Sequence, residues 1–351
     1  MGIFTALLIL SFLIFFHELG HFTVARLFGV QVDVFSIGFG KRLFTKKIGK
    51  TEWSISMIPL GGYVKMKGQD DSNPNFVSYD KDSYNVKKPW QRILILLAGP
   101  FANFLLAFLL YLSISFIGVP KLLAVVGDAN TTQPAYKAGV QVGDRIVQIN
   151  GKKILYWEEI GESIQKSSNN LHLTVLRKGE YIDLSITPKL QNIKNRFNES
   201  VERKIIGISP DINSTVTQTY GLDGGLEYAY NQTKEASMII IKGLKKLISG
   251  LVPMEQLGGV VSIVDVTAKA SAVGITALLF FTALISVNLG VLNLLPIPAL
   301  DGGHIVFNLY EMITKRKPNE EIMYKLTIMG WAILLAVMLL GLFNDINRLF
   351  G

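Results

Sequence analysis

The chain has 351 residues, no cysteine, a net charge of +8, 49% hydrophobic residues and a mean hydropathy of +0.35. That is more apolar than water-soluble domains usually are and places the chain among membrane proteins. The absence of cysteine excludes disulfides and thiolate metal sites, leaving imidazole and carboxylate as ligand types; without a zinc-finger or other nucleic-acid motif, the positive charge reads as membrane orientation and not as nucleic-acid binding.

Residues 1–16 carry no charged side chain and are dominated by Leu, Ile and Phe. They predict a first transmembrane helix over residues 1–28. It has no basic leader region and no small-residue cleavage site before His17, so it is expected to be retained. His17-Glu18-Leu19-Gly20-His21 lies on this helix. Positions i and i+4 share a helix face, so both imidazoles can reach one metal ion. Glu18, between them, is placed to take a proton from a water activated by that ion. Ionisable groups at membrane depth are costly, and their default reading is functional.

Residues 26–92 hold twelve Lys/Arg and six Asp/Glu. Trp53, Ile55 and Met57 alternate with serines, Pro59-Leu60-Gly61-Gly62 supplies a turn, and Tyr63 to Met66 resumes the pattern, which predicts a β-hairpin. It reads either as an ordinary cytoplasmic hairpin or as an edge strand near the metal, able to pair with the freed backbone of an unwound substrate. Lys87 to Arg92 reads as an interfacial anchor for a second span over residues 93–120.

Residues 121–210 predict a soluble β-rich domain. Ile146, Ile149 and Ile154 alternate around Asn150-Gly151, residues 156–166 are helical in pattern, and strands at 171–176 and 181–186 join at Lys178-Gly179. This run resembles a bacterial PDZ domain, which would hold peptides by strand addition or act as a steric filter. His172, in one of its strands, reads as structural. Residues 211–269 form an amphipathic region in which 226–251 has helical spacing and several lysines, consistent with a helix on the membrane surface or one packed on the β-rich domain.

A third span covers residues 270–300 and is interrupted by Asn288, Asn293, Pro296 and Pro298. Such a break is tolerated where it is buried in protein or lines a wet cavity. Asp301 follows directly, opening the Leu-Asp-Gly motif and cytoplasmic loop of residues 301–325. Two histidines and a carboxylate, with one position open for water, make the catalytic zinc arrangement; Asp301 also suits a helix N-cap. A fourth span covers residues 326–351. The basic connections 29–92 and Lys315-Arg316-Lys317 are then cytoplasmic, and residues 121–269 are periplasmic or extracellular.

H-E-x-x-H in the first span, Gly99-Pro100-Phe-Ala-Asn103 in the second and N-x-x-P-x-P-x-L-D-G-G-H in the third resemble the site-2 protease family of intramembrane zinc metalloproteases, RseP-like in carrying an inserted PDZ domain. The resemblance covers essentially the whole chain. It implies a polytopic α-helical protein of the bacterial inner membrane, with four transmembrane helices, a membrane-associated β-hairpin and one PDZ domain. It implies one Zn2+ held by His17, His21 and Asp301, with Glu18 as general base. Asn293 and the hairpin residues Trp53, Ile55, Met57 and Tyr63 would contact substrate, and His304 and Asn103 would support the ligands. Single-span membrane proteins, such as anti-sigma factors or remnant signal peptides, would be the substrates. The chain departs from many relatives at Val260, where they have proline, and it fits only one PDZ-like domain where some have two.

Overall fold

The computed structural model describes residues 2–69, 78–167, 170–195 and 199–350. The chain forms two compact units, one built from residues 1–114 and 223–351 and the other from residues 115–222. Residues 70–77 of the predicted 29–92 region lie outside the described residues.

In the first unit, helix α1 spans Gly2–Leu27 and ends where Gly29 adopts φ +68°, since glycine carries no Cβ penalty there. Strands β1 (Val32–Ile48) and β2 (Thr51–Met66) follow. The turn between them is at Gly49, not at Pro59 to Gly62 as the pattern predicts; those four residues lie inside β2. The reason is a bend in both strands. Gly38, Gly40 and Gly61 take φ values of +92°, +83° and +137°, which L-residues rarely adopt. The register consequently doubles back: residues 34–37 of β1 face residues 52–55 on one side and 62–65 on the other. At Gly61 a Cβ would lie 1.9 Å from the Phe39 ring, so only glycine fits the bend. Phe35 stacks on Trp53 at 4.4 Å, and Phe22 and Phe15 of α1 meet this pair edge-on, fixing the sheet to the helix.

Helix α2 (Pro89–Ile117) starts at the proline of the predicted anchor, four residues ahead of the expected 93–120 span. Proline suits a first helical position because its missing N–H has no partner to lose there. Leu13 of α1, Leu106 of α2 and Ile285 from the third apolar segment are buried together, with Phe16, Leu110, Ile263 and Leu289 around them.

The second unit contains β3 (Val119–Leu122), β4 (Val126–Ala129), α3 (Pro134–Lys137), β5 (Arg145–Ile149), β6 (Lys152–Lys153), α4 (Trp157–Lys166), β7 (Leu171–Arg177), β8 (Glu180–Ile186), β9 (Lys189–Lys194), β10 (Ser200–Ile205), β11 (Ile208–Pro210) and β12 (Thr215–Gln218). A four-stranded sheet runs β6-β5-β7-β8, and β4 pairs with β11, β3 with β12 and β9 with β10. Both predicted turns are present, with positive φ at Asn150-Gly151 and Lys178-Gly179, as tight hairpins require. Ile146, Ile149, Ile160, Leu171, Leu173 and Ile186 centre the core. Asp144, fully buried, accepts two hydrogen bonds of 2.7 Å from Arg177 and one from the Gln141 amide.

The chain returns to the first unit as α5 (Leu222–Ile248), α6 (Val260–Val273), α7 (Ile275–Asn293), α8 (Asp301–Thr314) and α9 (Glu320–Phe350). The third span is thus shorter than residues 270–300: Gly274 at φ +139° separates α6 from α7, and Pro296 and Pro298 prevent α7 from running past Asn293. Residues 301–314 are helix and not loop. Val260 opens α6 without a proline because Asp345 of α9 caps it, accepting from the Gly259 and Ser262 amides at 3.1 and 3.0 Å and from the Ser262 hydroxyl. Helices α1, α2 and α7 and residues 321–350 of α9 are each long and apolar enough to cross a membrane.

Candidate metal centre

His17 and His21 lie one turn apart on α1, and their rings meet edge-on with centroids 4.8 Å apart. Their Nε2 atoms are 3.2 Å apart. His21 is buried, and its Nδ1 lies 2.8 Å from the Ile95 carbonyl oxygen of α2. A carbonyl only accepts, so the His21 proton sits on Nδ1 and its Nε2 offers a lone pair.

Two glycines permit this closeness. A Cβ on Gly20 would sit 2.2 Å from the Ala98 carbonyl oxygen, so α1 and α2 cross backbone to backbone. A Cβ on Gly99 would sit 2.2 Å from His21 Nε2 and 2.8 Å from His17 Cε1. The space that Gly99 leaves free is the space the two imidazoles use.

Asp301 is the first residue of α8. Its Oδ2 lies 3.3 Å from His17 Nε2 and 3.4 Å from His21 Nε2, and it is buried without a hydrogen-bond partner. The carboxylate arrives there because the chain turns tightly through residues 294–300 and packs on the first turn of α8. Side chains at Gly302 and Gly303 would lie 2.2 and 2.4 Å from the Leu295 and Ile297 carbonyl oxygens. An Arg92–Glu311 ion pair of 2.7 Å, largely buried, ties α8 to the start of α2.

These three atoms fit a metal ion. A tetrahedral ion about 2.0–2.1 Å from each ligand requires ligand atoms ~3.3 Å apart, against the 3.2, 3.3 and 3.4 Å found. Three electron-pair donors converging in a buried space repel one another, and a cation relieves that repulsion. Among the described residues this is the one group of three or more histidines and acids able to converge on an ion. Glu18 interacts electrostatically with all three members.

The other predicted residues divide. Asn293, at the end of α7, brings Nδ2 to 3.5 Å from His17 Nε2. Asn103 is fully buried, with its amide 3.2 Å from His17 Nδ1. His304 stands one turn along α8, with its ring against Phe307 and its carbonyl accepting from Asn308. Within the hairpin, the segment at the metal site is Gly62, whose Cβ would lie 3.1 Å from Glu18 Cγ. Trp53 is packed between Phe22 and Phe35, whereas Ile55 and Met57 are about half exposed. Tyr63 accepts a hydrogen bond from Arg42 at 3.3 Å. Residues 62–66 pair with β1 along one edge only, and among the described residues no other strand pairs with them. Sequence reasoning gave no site role to Gly20, Gly62, Gly99, Gly302 and Gly303. Their one sequence signal is their place within the quoted motifs.

Comparison with known proteins places these observations. The pattern of peptidase family M50 matches residues 5–337. A Campylobacter jejuni protein named "putative zinc metalloprotease" is 47% identical over 98% of this chain and 93% of its own length. Proteins with the same name are 42% identical in Helicobacter pylori, over 98% of this chain and 99% of their own, and 36% identical in Rickettsia conorii, over 97% of each.

Proposed function

Because the chain belongs to peptidase family M50 and is a multi-pass zinc metalloprotease of the site-2 protease type, we propose that it cuts peptide bonds inside the transmembrane segments of single-span membrane proteins. The observation that carries this reading is the convergence of His17 Nε2, His21 Nε2 and Asp301 Oδ2 beside Glu18, on or next to helices built to lie in a bilayer.

In this reading His17, His21 and Asp301 hold the zinc. Zinc, when bound, supplies Lewis-acid chemistry, polarising the scissile carbonyl and acidifying the attacking water. Glu18 takes the proton from that water and delivers it to the leaving amine. A transmembrane helix has no free backbone groups until it unwinds, and residues 62–64, which pair with β1 along one edge and begin beside Glu18, offer their other edge to receive it. Asn293 holds the incoming strand at the metal. Ile55, Met57 and Tyr63 contact its side chains, Trp53 supports the sheet, and His304 supports α8. The second unit is read as a PDZ domain on the periplasmic side of the inner membrane, which holds substrate ends or excludes those whose outer domains are still bulky. Its hairpin turns and its core helix α4 support that identity. Anti-sigma factors and remnant signal peptides are the substrate classes this arrangement suits.

The test separates chemistry from metal binding. Glu18→Gln preserves volume and leaves all three ligands, so zinc content should stay near one per chain. Cleavage of a single-span peptide in detergent should fall well over a hundredfold, the scale of lost general-base assistance. Near wild-type cleavage by Glu18→Gln would refute the mechanism.

A further inference from the structure

The two histidines differ in what stands behind them. Each turns Nε2 towards Asp301 Oδ2. A neutral imidazole has one N–H, so an imidazole that offers Nε2 as an electron-pair donor carries its proton on Nδ1. For His21 that proton goes to the Ile95 carbonyl. For His17 the group facing Nδ1 is the Asn103 amide, at 3.2 Å.

An amide presents either its oxygen or its NH2, and the two orientations occupy the same space. With Nδ2 towards His17, the Asn103 oxygen is left buried without a donor. That orientation also pairs an N–H donor with the nitrogen that must itself donate. With the oxygen towards His17, donor meets acceptor. We propose that Asn103 is a positioning residue whose Oδ1 accepts the His17 Nδ1–H, setting the tautomer and ring plane in which Nε2 faces the metal.

The surroundings suit that role. Asn103 is 0% exposed, so water does not compete for the His17 proton. The Ser286 hydroxyl of α7 donates to the Asn103 backbone carbonyl at 2.8 Å, anchoring that turn of α2. Gly99 and Asn103 are four residues apart on one face of α2, so a single helix face supplies both the room for the imidazoles and the acceptor that orients one of them. The inference rests on His17 being a zinc ligand.

The experiment uses the full chain in detergent and titrates zinc against a chelator of known affinity. Asn103→Leu keeps the volume and removes the acceptor, and should weaken zinc binding by about 10- to 100-fold, the usual effect of losing a group that orients a ligand. Asn103→Asp keeps an acceptor and should hold zinc within about threefold of wild type or more tightly, since carboxylates commonly take this place behind a metal-bound histidine. Wild-type affinity in Asn103→Leu, or equal losses in both variants, would overturn the proposal and reduce Asn103 to packing. Should Asn103→Leu fail to fold, NMR of histidine- and asparagine-labelled wild-type protein decides: a His17 Nδ1 proton hydrogen-bonded to the Asn103 side-chain carbonyl supports the assignment, and an Nδ1 proton without that bond overturns it. His17→Ala serves as the control. Zinc retained by His17→Ala would remove the ligand reading and this proposal together, whereas zinc lost there but held normally by Asn103→Leu removes this proposal alone.

Discussion

Replacing Gly99 by alanine tests whether the α1–α2 contact sets the metal site. Judged by helix propensity alone, Gly→Ala inside α2 should stabilise the helix by about 1 kcal/mol. The structure points the other way. The new Cβ would lie 2.2 Å from His21 Nε2, 2.6 Å from His21 Cε1 and 2.8 Å from His17 Cε1. Ordinary contact is about 3.5 Å, so roughly 1.3 Å must be found. His21 cannot swing away without losing the 2.8 Å bond from Nδ1 to the Ile95 carbonyl, and α1 cannot yield alone, because Gly20 already abuts the Ala98 backbone. Overpacking of this kind costs about 1–3 kcal/mol, so the net loss of stability should be about 0–2 kcal/mol. The metal should suffer more, because displacing a ligand atom by about 1 Å leaves the tolerance of a preorganised site. Zinc affinity should fall about a hundredfold, equivalent to roughly 2.7 kcal/mol. The assay is zinc per purified chain by mass spectrometry, alongside thermal unfolding and peptide cleavage. Gly161→Ala is the control, since a Cβ there meets nothing within 4 Å and should stabilise α4 by about 1 kcal/mol. A Gly99→Ala protein with full zinc occupancy and normal cleavage would refute the argument.

Other expectations follow from different parts of the molecule. Asp144→Asn breaks one side of the ion pair with Arg177, which keeps 21% exposure; the cost should be about 3 kcal/mol, a fall of roughly 10–15 °C in the melting of residues 115–222. The Ser214 hydroxyl and the Asn213 amide hold the Asp211 carboxylate below its usual pKa. A depressed folded-state pKa contributes stability that is present above the ordinary carboxylate value and lost as pH falls through the lower one, so the protection of the Asn213 amide from hydrogen exchange, measured against its intrinsic rate at each pH, should fall only below about pH 4. The cysteine-free chain permits single-cysteine mapping of topology. A thiol reagent outside intact cells should reach Gly179→Cys but not Lys46→Cys or Arg316→Cys, and labelling of Lys46→Cys would invert the orientation.

Much of the candidate site was legible from the chain alone because its rules are local. His17, Glu18 and His21 share a helix face through the 3.6-residue period, uncharged runs report length against bilayer thickness, and Asn150-Gly151 and Lys178-Gly179 report φ values that few residues adopt. The hairpin misled for the same reason. Pro59 to Gly62 has the composition of a turn, yet Phe39 fills the space over Gly61 and β1 pairs on both sides. Register in a bent sheet depends on partners remote in the chain. Likewise, no periodicity reveals that Gly99 faces two imidazoles, that Asn103 stands behind His17 and not His21, or that Asp345 caps a helix more than eighty residues earlier. Those facts came only with the tertiary structure, because close packing brings atoms within van der Waals range irrespective of their separation along the chain, while a sequence pattern records only what neighbouring residues impose on one another.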